Sequence, residues 1–261
     1  MATDKNTAVV TGASSGIGAE LARIHAERGG DLVVVARRRE KLTALKAELE
    51  RAHGVNVHVL AKDLARPDGP QEIYDELQSS GVAIDILVNN AGFGHRGPFH
   101  EQPWTTSEAM IKVNVLALTA LTRLFVPRMI ERGSGRVLNI ASMAGFIPGP
   151  LMAIYYASKA FVVSFSESIA DELAGTGVTV TALCPGPTQT EFAERAEMTG
   201  TRLMEKMVSA REVAEIGYDA MLRGKIVVVP GLVNKLTIHG LLRISPRRLN
   251  TRISRTLTGK R

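Results

Sequence analysis

The chain has 261 residues, 45% hydrophobic and 22% charged, enough to bury one full globular core, and its 24 glycines follow no period, which excludes a fibrous repeat. Its single cysteine, Cys184, excludes an intramolecular disulfide, suits a reducing compartment and reads as a buried small hydrophobe. The net charge of +6 sits in the tail: residues 223–261 hold ten Lys/Arg and no acid, leaving 22 basic against 26 acidic residues before them, so the basicity says little about the main domain.

Met1-Ala2-Thr3-Asp4-Lys5 has no apolar core after a basic start, so no signal peptide is expected. No uninterrupted apolar run approaches the ~18–20 residues that span a bilayer. The expected location is cytoplasmic. Thr7-Ala8-Val9-Val10 is a short apolar run before a glycine-rich turn and predicts a first buried strand. A helix follows over 16–28 and should stop at Gly29-Gly30. Residues 32–35 predict a second strand, 40–53 a charged helix, 55–60 a third strand, 68–79 a helix and 84–88 a fourth strand. A long helix is expected over Trp104–Glu131, softened near Pro127. Strands at 136–140, 178–183 and 226–229 alternate with helices at 152–173 and 210–223, while 190–208 is polar, methionine-bearing and poorly patterned.

Apolar strands alternating with helices of ten or more residues predict an α/β fold: one doubly wound parallel sheet of about seven strands with helices on both faces. Ligands of such sheets bind beyond the carboxyl ends of the strands, so the residues after each strand carry the function. After the first strand, Gly12, Gly16 and Gly18 in Thr11-Gly12-Ala13-Ser14-Ser15-Gly16-Ile17-Gly18 allow close backbone approach to a phosphate at a helix N-terminus. Gly12-Ala13-Ser14-Ser15-Gly16 also fits the nucleophile elbow of a serine hydrolase. That reading is disfavoured by its place after the very first strand, by the third glycine, and by the lack of an acid-then-histidine pair at later strand ends. The six histidines and one cysteine show no metal-ligand spacing, so no metal is expected.

The second strand ends in Ala36-Arg37-Arg38-Arg39 rather than the acid that holds a ribose 2′-hydroxyl. Arginines at a helix start oppose the macrodipole unless an anion meets them, which favours NADP(H) and a 2′-phosphate on Arg37 and Arg38. Later, Tyr155 and Lys159 stand four apart on one helix face, where an ammonium makes a phenol a stronger acid.

Together with Asn89-Asn90-Ala91-Gly92, Asn114, Ser142 and Pro185-Gly186, these motifs resemble the short-chain dehydrogenase/reductase family over about residues 5–230. The resemblance implies a Rossmann-type fold, a nicotinamide cofactor and reversible reduction of a carbonyl to an alcohol. It implies cofactor contacts at the Gly12–Gly18 turn, including Ser14, Ser15 and Ile17, and at Asp63, Leu64, Asn90, Ala91, Gly92, Tyr155, Lys159, Pro185, Gly186, Thr188 and Thr190. It also implies a catalytic set: Tyr155 as proton donor, Lys159 lowering its pKa and holding ribose hydroxyls, Ser142 orienting the carbonyl, Asn114 holding a water that returns protons to Lys159. Tyr156 points about 100° away around the helix and should pack. A homodimer or homotetramer is the expected assembly.

Within residues 1–230, two readings of the segment 190–208 stay open: a cover over the substrate, or a small helix pair that merely packs. Phe192, Met198, Leu203, Met204 and Met207, with loop residues Phe93, His95, Phe99, Phe146, Ile147 and Met152, suit a hydrophobic ketone, aldehyde or 3-oxoacyl group. Residues 231–261 form a basic amphipathic extension, with Leu249, Ile253 and Leu257 as a stripe beside Arg247, Arg248, Arg252 and Arg255. Leu232, Val233, Leu236, Leu241 and Leu242 form a second apolar patch. Two readings of the extension stay open, docking on protein and peripheral contact with a membrane. Nucleic acid is not expected as a partner, since the tail lacks aromatic residues. The rival function is a dinucleotide-binding regulatory protein without chemistry, which an intact Ser142, Tyr155 and Lys159 disfavours.

Overall fold

The computed structural model describes residues 6–241 and 245–259. Met1–Lys5 and Leu242 of the sequence reading lie outside the described residues, as does the Leu241 side chain. Seven parallel strands run in the order β3-β2-β1-β4-β5-β6-β9: β1 (Thr7–Thr11), β2 (Asp31–Ala36), β3 (Val57–Ala61), β4 (Ile86–Asn89), β5 (Gly135–Ile140), β6 (Val178–Leu183) and β9 (Val227–Val228). Parallel pairing of β1 with both β2 and β4 puts a topological switch point at the carboxyl end of β1, where the chain leaves in opposite directions and opens a crevice.

Successive side chains of a strand face opposite sides, and neighbours in β1 divide accordingly. Val10 joins a core with Leu21, Leu42 and Met221, from helices α1 (Gly16–Glu27), α2 (Arg39–His53) and α8 (Ala210–Leu222). Val9 joins the opposite core with Ile73 of α3 (Gly69–Ser79) and Phe125 and Met129 of α5 (Leu118–Glu131). The doubly wound sheet expected from the sequence is therefore present, with a buried layer on each face. A separate two-stranded parallel pair, β7 (Thr188–Gln189) and β8 (Val208–Ser209), brackets the covering segment, which holds α7 (Phe192–Arg195) and a 3₁₀ turn at Arg202–Met204.

The expected long helix is continuous but not softened at Pro127, which lies inside α5. The irregularity is a π-helical stretch at Lys112–Ala117 between α4 (Trp104–Ile111) and α5. Such a widened turn rotates the residues that follow it, and it is here that Asn114 is buried. Trp104–Glu131, with mean hydropathy 1.6 over its best window, is long and apolar enough to cross a bilayer by length and composition. Its Leu121, Phe125 and Met129 instead pack on the sheet, making it a core helix of the domain.

The turn after β1 is closed by backbone proximity. Gly12 has φ +67°, and a Cβ on Gly18 would sit 2.3 Å from Asn90 Nδ2 and 2.6 Å from the Gly12 carbonyl oxygen. The Asn90 amide donates to the carbonyls of Thr11 (2.9 Å) and Gly12 (3.2 Å), tying the turn to the end of β4. Gly18→Ala is expected to force this contact apart and cost about 1–3 kcal/mol, read as a lower denaturant midpoint with an unchanged slope.

Candidate active site

At the switch point a cavity of about 650 Å³ runs from the β1–α1 turn to helix α6 (Ala153–Glu172) and the C-terminal helix α10 (Arg247–Thr258). Every catalytic and cofactor-binding candidate named from the sequence lines it except Gly18 and Asn114. Residues from five strand ends converge: Ser14 and Ser15 after β1, Arg37 and Arg38 after β2, Asp63 and Leu64 after β3, Asn90, Ala91 and Gly92 after β4, and Ser142 after β5. Pro185, Gly186, Thr188 and Thr190 close it from beyond β6.

The α1 terminus is built to receive an anion. Its N-cap, Ser15, makes no side-chain capping bond, and its first turn carries no acid. Arg38 crosses above it and donates from Nη2 to Ser14 Oγ (3.0 Å) and Ser15 Oγ (3.0 Å). Ser14 thus faces a guanidinium and not a histidine, which removes the nucleophile that a hydrolase reading needs. Asp63 turns its carboxylate to the Ala65 amide (3.0 Å), shaping the end of the groove. Guanidinium, hydroxyls and an uncapped helix start form a donor set suited to the phosphates of a dinucleotide.

A residue the sequence reading passed over changes this picture. Glu191 in the covering segment pairs with Arg38 (2.9 Å), Lys41 (2.7 Å) and Arg195 (2.5 Å), and its carboxyl is held down at about 2, chiefly by the hydrogen bond from Arg38. The cover is therefore latched to the cationic end of the groove.

At the other end Tyr155 and Ser142 share the cavity wall, with the Phe192 ring 5.1 Å from that of Tyr155 between centroids. Ser142 is fixed in turn: its Oγ accepts from the Ala144 amide (3.1 Å) and reaches the Pro185 carbonyl at 3.5 Å. One turn along α6, Lys159 is buried and donates from Nζ to the Ile140 carbonyl at the end of β5 (2.7 Å), with Nζ 5.9 Å from the Tyr155 ring centroid. Burial pushes the Tyr155 phenol above its ordinary value, and the nearby Ser142 side chain opposes this only in part. In the cofactor-free protein burial is the largest influence on the Tyr155 phenol.

Asn114 is more committed than the sequence suggested. Its Nδ2 donates to the Phe93 carbonyl (3.0 Å) and to Ser158 Oγ (3.0 Å), and its Oδ1 accepts from the Phe93 amide (3.1 Å). Ser158 passes the chain on to the Tyr155 carbonyl (2.7 Å), so Asn114 braces the loop after β4 against α6, and one acceptor lone pair remains for a water. Tyr156 packs as expected; a Cβ on Gly149 would meet its ring at 2.1 Å. Gly94 also escaped notice. A side chain there would press on Phe192 (2.9 Å), Met152 (3.0 Å) and Tyr155 (3.2 Å).

Phe93, Ile147, Met152, Phe192, Met198, Leu203 and Met204 line the cavity, giving it an apolar wall. His95, Phe99, Phe146 and Met207 do not line it, and Phe99 is exposed. Phe99 opens a 3₁₀ turn at Phe99–Glu101 and stands in solvent, a tertiary outcome that residue type does not signal. Cys184 is fully buried, its thiol pushed up to about 12 by burial, as a structural cysteine should be.

Burial of Lys159 makes a stability prediction. Its pKa falls to about 8 from an ordinary 10.5, because burial disfavours the ammonium. Between those values the unfolded chain binds the proton that the fold releases, so this group's contribution to stability rises with pH across that window and is flat below it. In cofactor-free protein, Lys159→Met should be more stable than wild type near pH 7, by at most roughly 3 kcal/mol. The gap between the two should close as the denaturation series approaches pH 10.5.

The comparisons agree with this geometry. The family model described as short chain dehydrogenase matches residues 6–199. The chain is 37% identical over 223 residues to the very-long-chain 3-oxoacyl-CoA reductase of Bos taurus, covering 83% of this chain and 70% of that protein. A short-chain dehydrogenase from Sphingobium yanoikuyae, solved in complex with NADPH, superposes with a TM-score of 0.82 at 35% identity, covering 93% of this chain and 97% of that one. A short-chain dehydrogenase/reductase from Burkholderia phymatum in complex with NAD gives a TM-score of 0.81 at 27% identity, over 99% and 98% of the two chains. With the family match, the sheet order and the groove in agreement, the chain belongs to the short-chain dehydrogenase/reductase family and is an oxidoreductase that uses a nicotinamide dinucleotide.

Proposed function

We propose that this oxidoreductase interconverts a hydrophobic carbonyl compound (a ketone, aldehyde or 3-oxoacyl group) and its alcohol, with NADP(H) as cofactor. The observation that carries the reading is the Tyr155–Ser142 pair on the wall of an apolar cavity, with the buried Lys159 ammonium one turn away. When bound, the reduced nicotinamide supplies hydride to the carbonyl carbon. Ser142 and Tyr155 hydrogen-bond the carbonyl oxygen and orient it. Tyr155 then gives its phenolic proton to that oxygen as negative charge develops there. Lys159, close to the ring, stabilises the phenolate left behind, and a water held at Asn114 refills the proton. A phenol kept protonated by burial is a competent donor at neutral pH, and placed proton transfer is worth about 10²–10⁴-fold.

NADP(H) is supported by Arg38 over the phosphate turn, by Arg37 beside it, and by the absence of an acid at the end of β2. The apolar wall and the likeness to a very-long-chain 3-oxoacyl-CoA reductase support a long hydrophobic substrate. We place the enzyme in the cytoplasm, which its one reduced, buried cysteine suits. We also propose a homodimer or homotetramer, for which Trp104, Leu116 and Phe161 are exposed apolar contacts.

Tyr155→Phe should retain NADPH binding by fluorescence titration while kcat for ketone reduction falls at least a hundredfold, within the range above. Full turnover by that variant would overturn the assignment. Arg38→Ala should raise KM for NADPH roughly ten- to a hundredfold, the worth of one charge-assisted hydrogen bond, and leave KM for NADH within a factor of about two.

A further inference from the structure

Helix α10 is built the wrong way round for a helix that merely covers its own domain. At 100° per residue its side chains form three rows. Asn250, Ser254 and Thr258 form a polar row, and it is this row that is buried. The Asn250 amide oxygen accepts from Ser245 Oγ (2.5 Å), Thr258 Oγ1 donates to the Pro150 carbonyl (3.1 Å), and Arg96 Nε donates to the Thr258 carbonyl (2.7 Å), closing the helix end onto the β4 loop. Leu249, Ile253 and Leu257 form the apolar row, which stands at the rim of the cavity and is left partly open to solvent: Leu249 is 48% and Ile253 47% exposed, and Leu257 is half-buried. Arg248, Arg252 and Arg255 form the third row, exposed beside the apolar one. A helix stabilised by its own domain buries its apolar stripe.

The same inversion recurs nearby. On α9 (Leu232–Leu236), Leu232 (74%), Val233 (76%) and Leu236 (65%) are among the most exposed large hydrophobic residues of the chain, next to the exposed Lys235. The two helices flank one opening, since Thr237, directly after α9, and Leu249, Ile253 and Leu257 of α10 all line the cavity. An apolar surface of this kind, rimmed by cations, calls for a cover.

We propose that α9 and α10 form a peripheral docking surface for an anionic lipid bilayer, with the mouth of the cavity facing the membrane. Charge decides between occupants. Residues 223–261 carry ten Lys/Arg and no acid, so a second copy meeting this face about a two-fold axis sets arginine rows against arginine rows. Anionic headgroups neutralise those rows while the leucines and isoleucine enter the acyl boundary. Docking itself does not depend on the reductase reading. A direct route for a lipid-like substrate from bilayer to Tyr155 does rest on that reading.

The test is co-sedimentation of the full chain with vesicles of phosphatidylcholine alone and of phosphatidylcholine mixed with phosphatidylglycerol. The full chain should pellet with the anionic vesicles, be released by high salt, and stay in solution with the neutral ones. Arg248→Glu/Arg252→Glu/Arg255→Glu should lower the partition coefficient at least about a hundredfold. Leu232→Ser/Val233→Ser/Leu236→Ser should lower it at least about tenfold. Both variants should keep the wild-type melting temperature and NADPH affinity, which separates lost docking from lost folding or a failed cofactor assignment. Absence of pelleting by folded wild type, or equal pelleting with neutral and anionic vesicles, overturns the proposal. So does a wild-type dimer that the triple-serine variant converts to monomer without any vesicle binding.

Discussion

A buried ammonium with no carboxylate partner among the described residues governs the arrangement of this molecule. Lys159 sits beneath the sheet's carboxyl edge and reaches the Ile140 carbonyl, while burial alone dominates its acidity. Holding it there requires α6 to lie close on the ends of β5 and β6. The glycines around it are the signs of that closeness: a Cβ on Gly145 would fall 2.7 Å from the Lys159 carbonyl oxygen, and one on Gly92 would approach Nζ at 3.5 Å. Desolvating a cation costs free energy unless oxygen ligands repay it. In the proposed mechanism a ribose seated in the groove brings such ligands, so that cofactor binding and the readiness of Tyr155 are coupled through one charge. Burial keeps the phenol protonated before the groove is filled.

The covering segment is under a second electrostatic constraint. Glu191 holds Arg38, Lys41 and Arg195 at once, so the cover and the phosphate end of the groove share their cations. On the proposed NADP(H) reading, a 2′-phosphate on Arg38 competes with Glu191 for the same guanidinium, which would link seating of the cofactor to the segment that also supplies Phe192 to the Tyr155 wall.

What could be read from the sequence was local, and what could not was relational. Gly12, Gly16 and Gly18 announce a phosphate turn because their spacing acts within a few residues, and Tyr155 and Lys159 announce a shared face because helix geometry fixes i and i+4. The strand ends follow from apolar runs of four to six residues, and the whole groove follows from the strand ends. Glu191 escaped because its partner Arg38 lies 153 residues away and nothing in its neighbourhood marks it. Pro127 looked like the break in the long helix because proline lacks an amide N–H, whereas the irregularity lies at Lys112–Ala117, where Asn114 is buried and bonded to Phe93 and Ser158. In α10 the period revealed the stripe of Leu249, Ile253 and Leu257 but not its direction. Only tertiary packing shows that Asn250, Ser254 and Thr258 take the inner side.

In the proposed function the cavity unites these elements around one chemical event, the arrival of a proton from Tyr155 at an oxygen held by Ser142. On that proposal its apolar wall and buried lysine serve the carbonyl being reduced, and its cationic far end serves the cofactor's phosphates. The most direct test is a balance of matter: purified wild-type protein is given NADPH and a series of long-chain ketones, aldehydes and 3-oxoacyl thioesters, and NADPH consumed is compared with alcohol formed. The account expects one alcohol per NADPH, with kcat/KM rising as the apolar chain lengthens. Tight NADPH binding with no alcohol from any member of the series would contradict it.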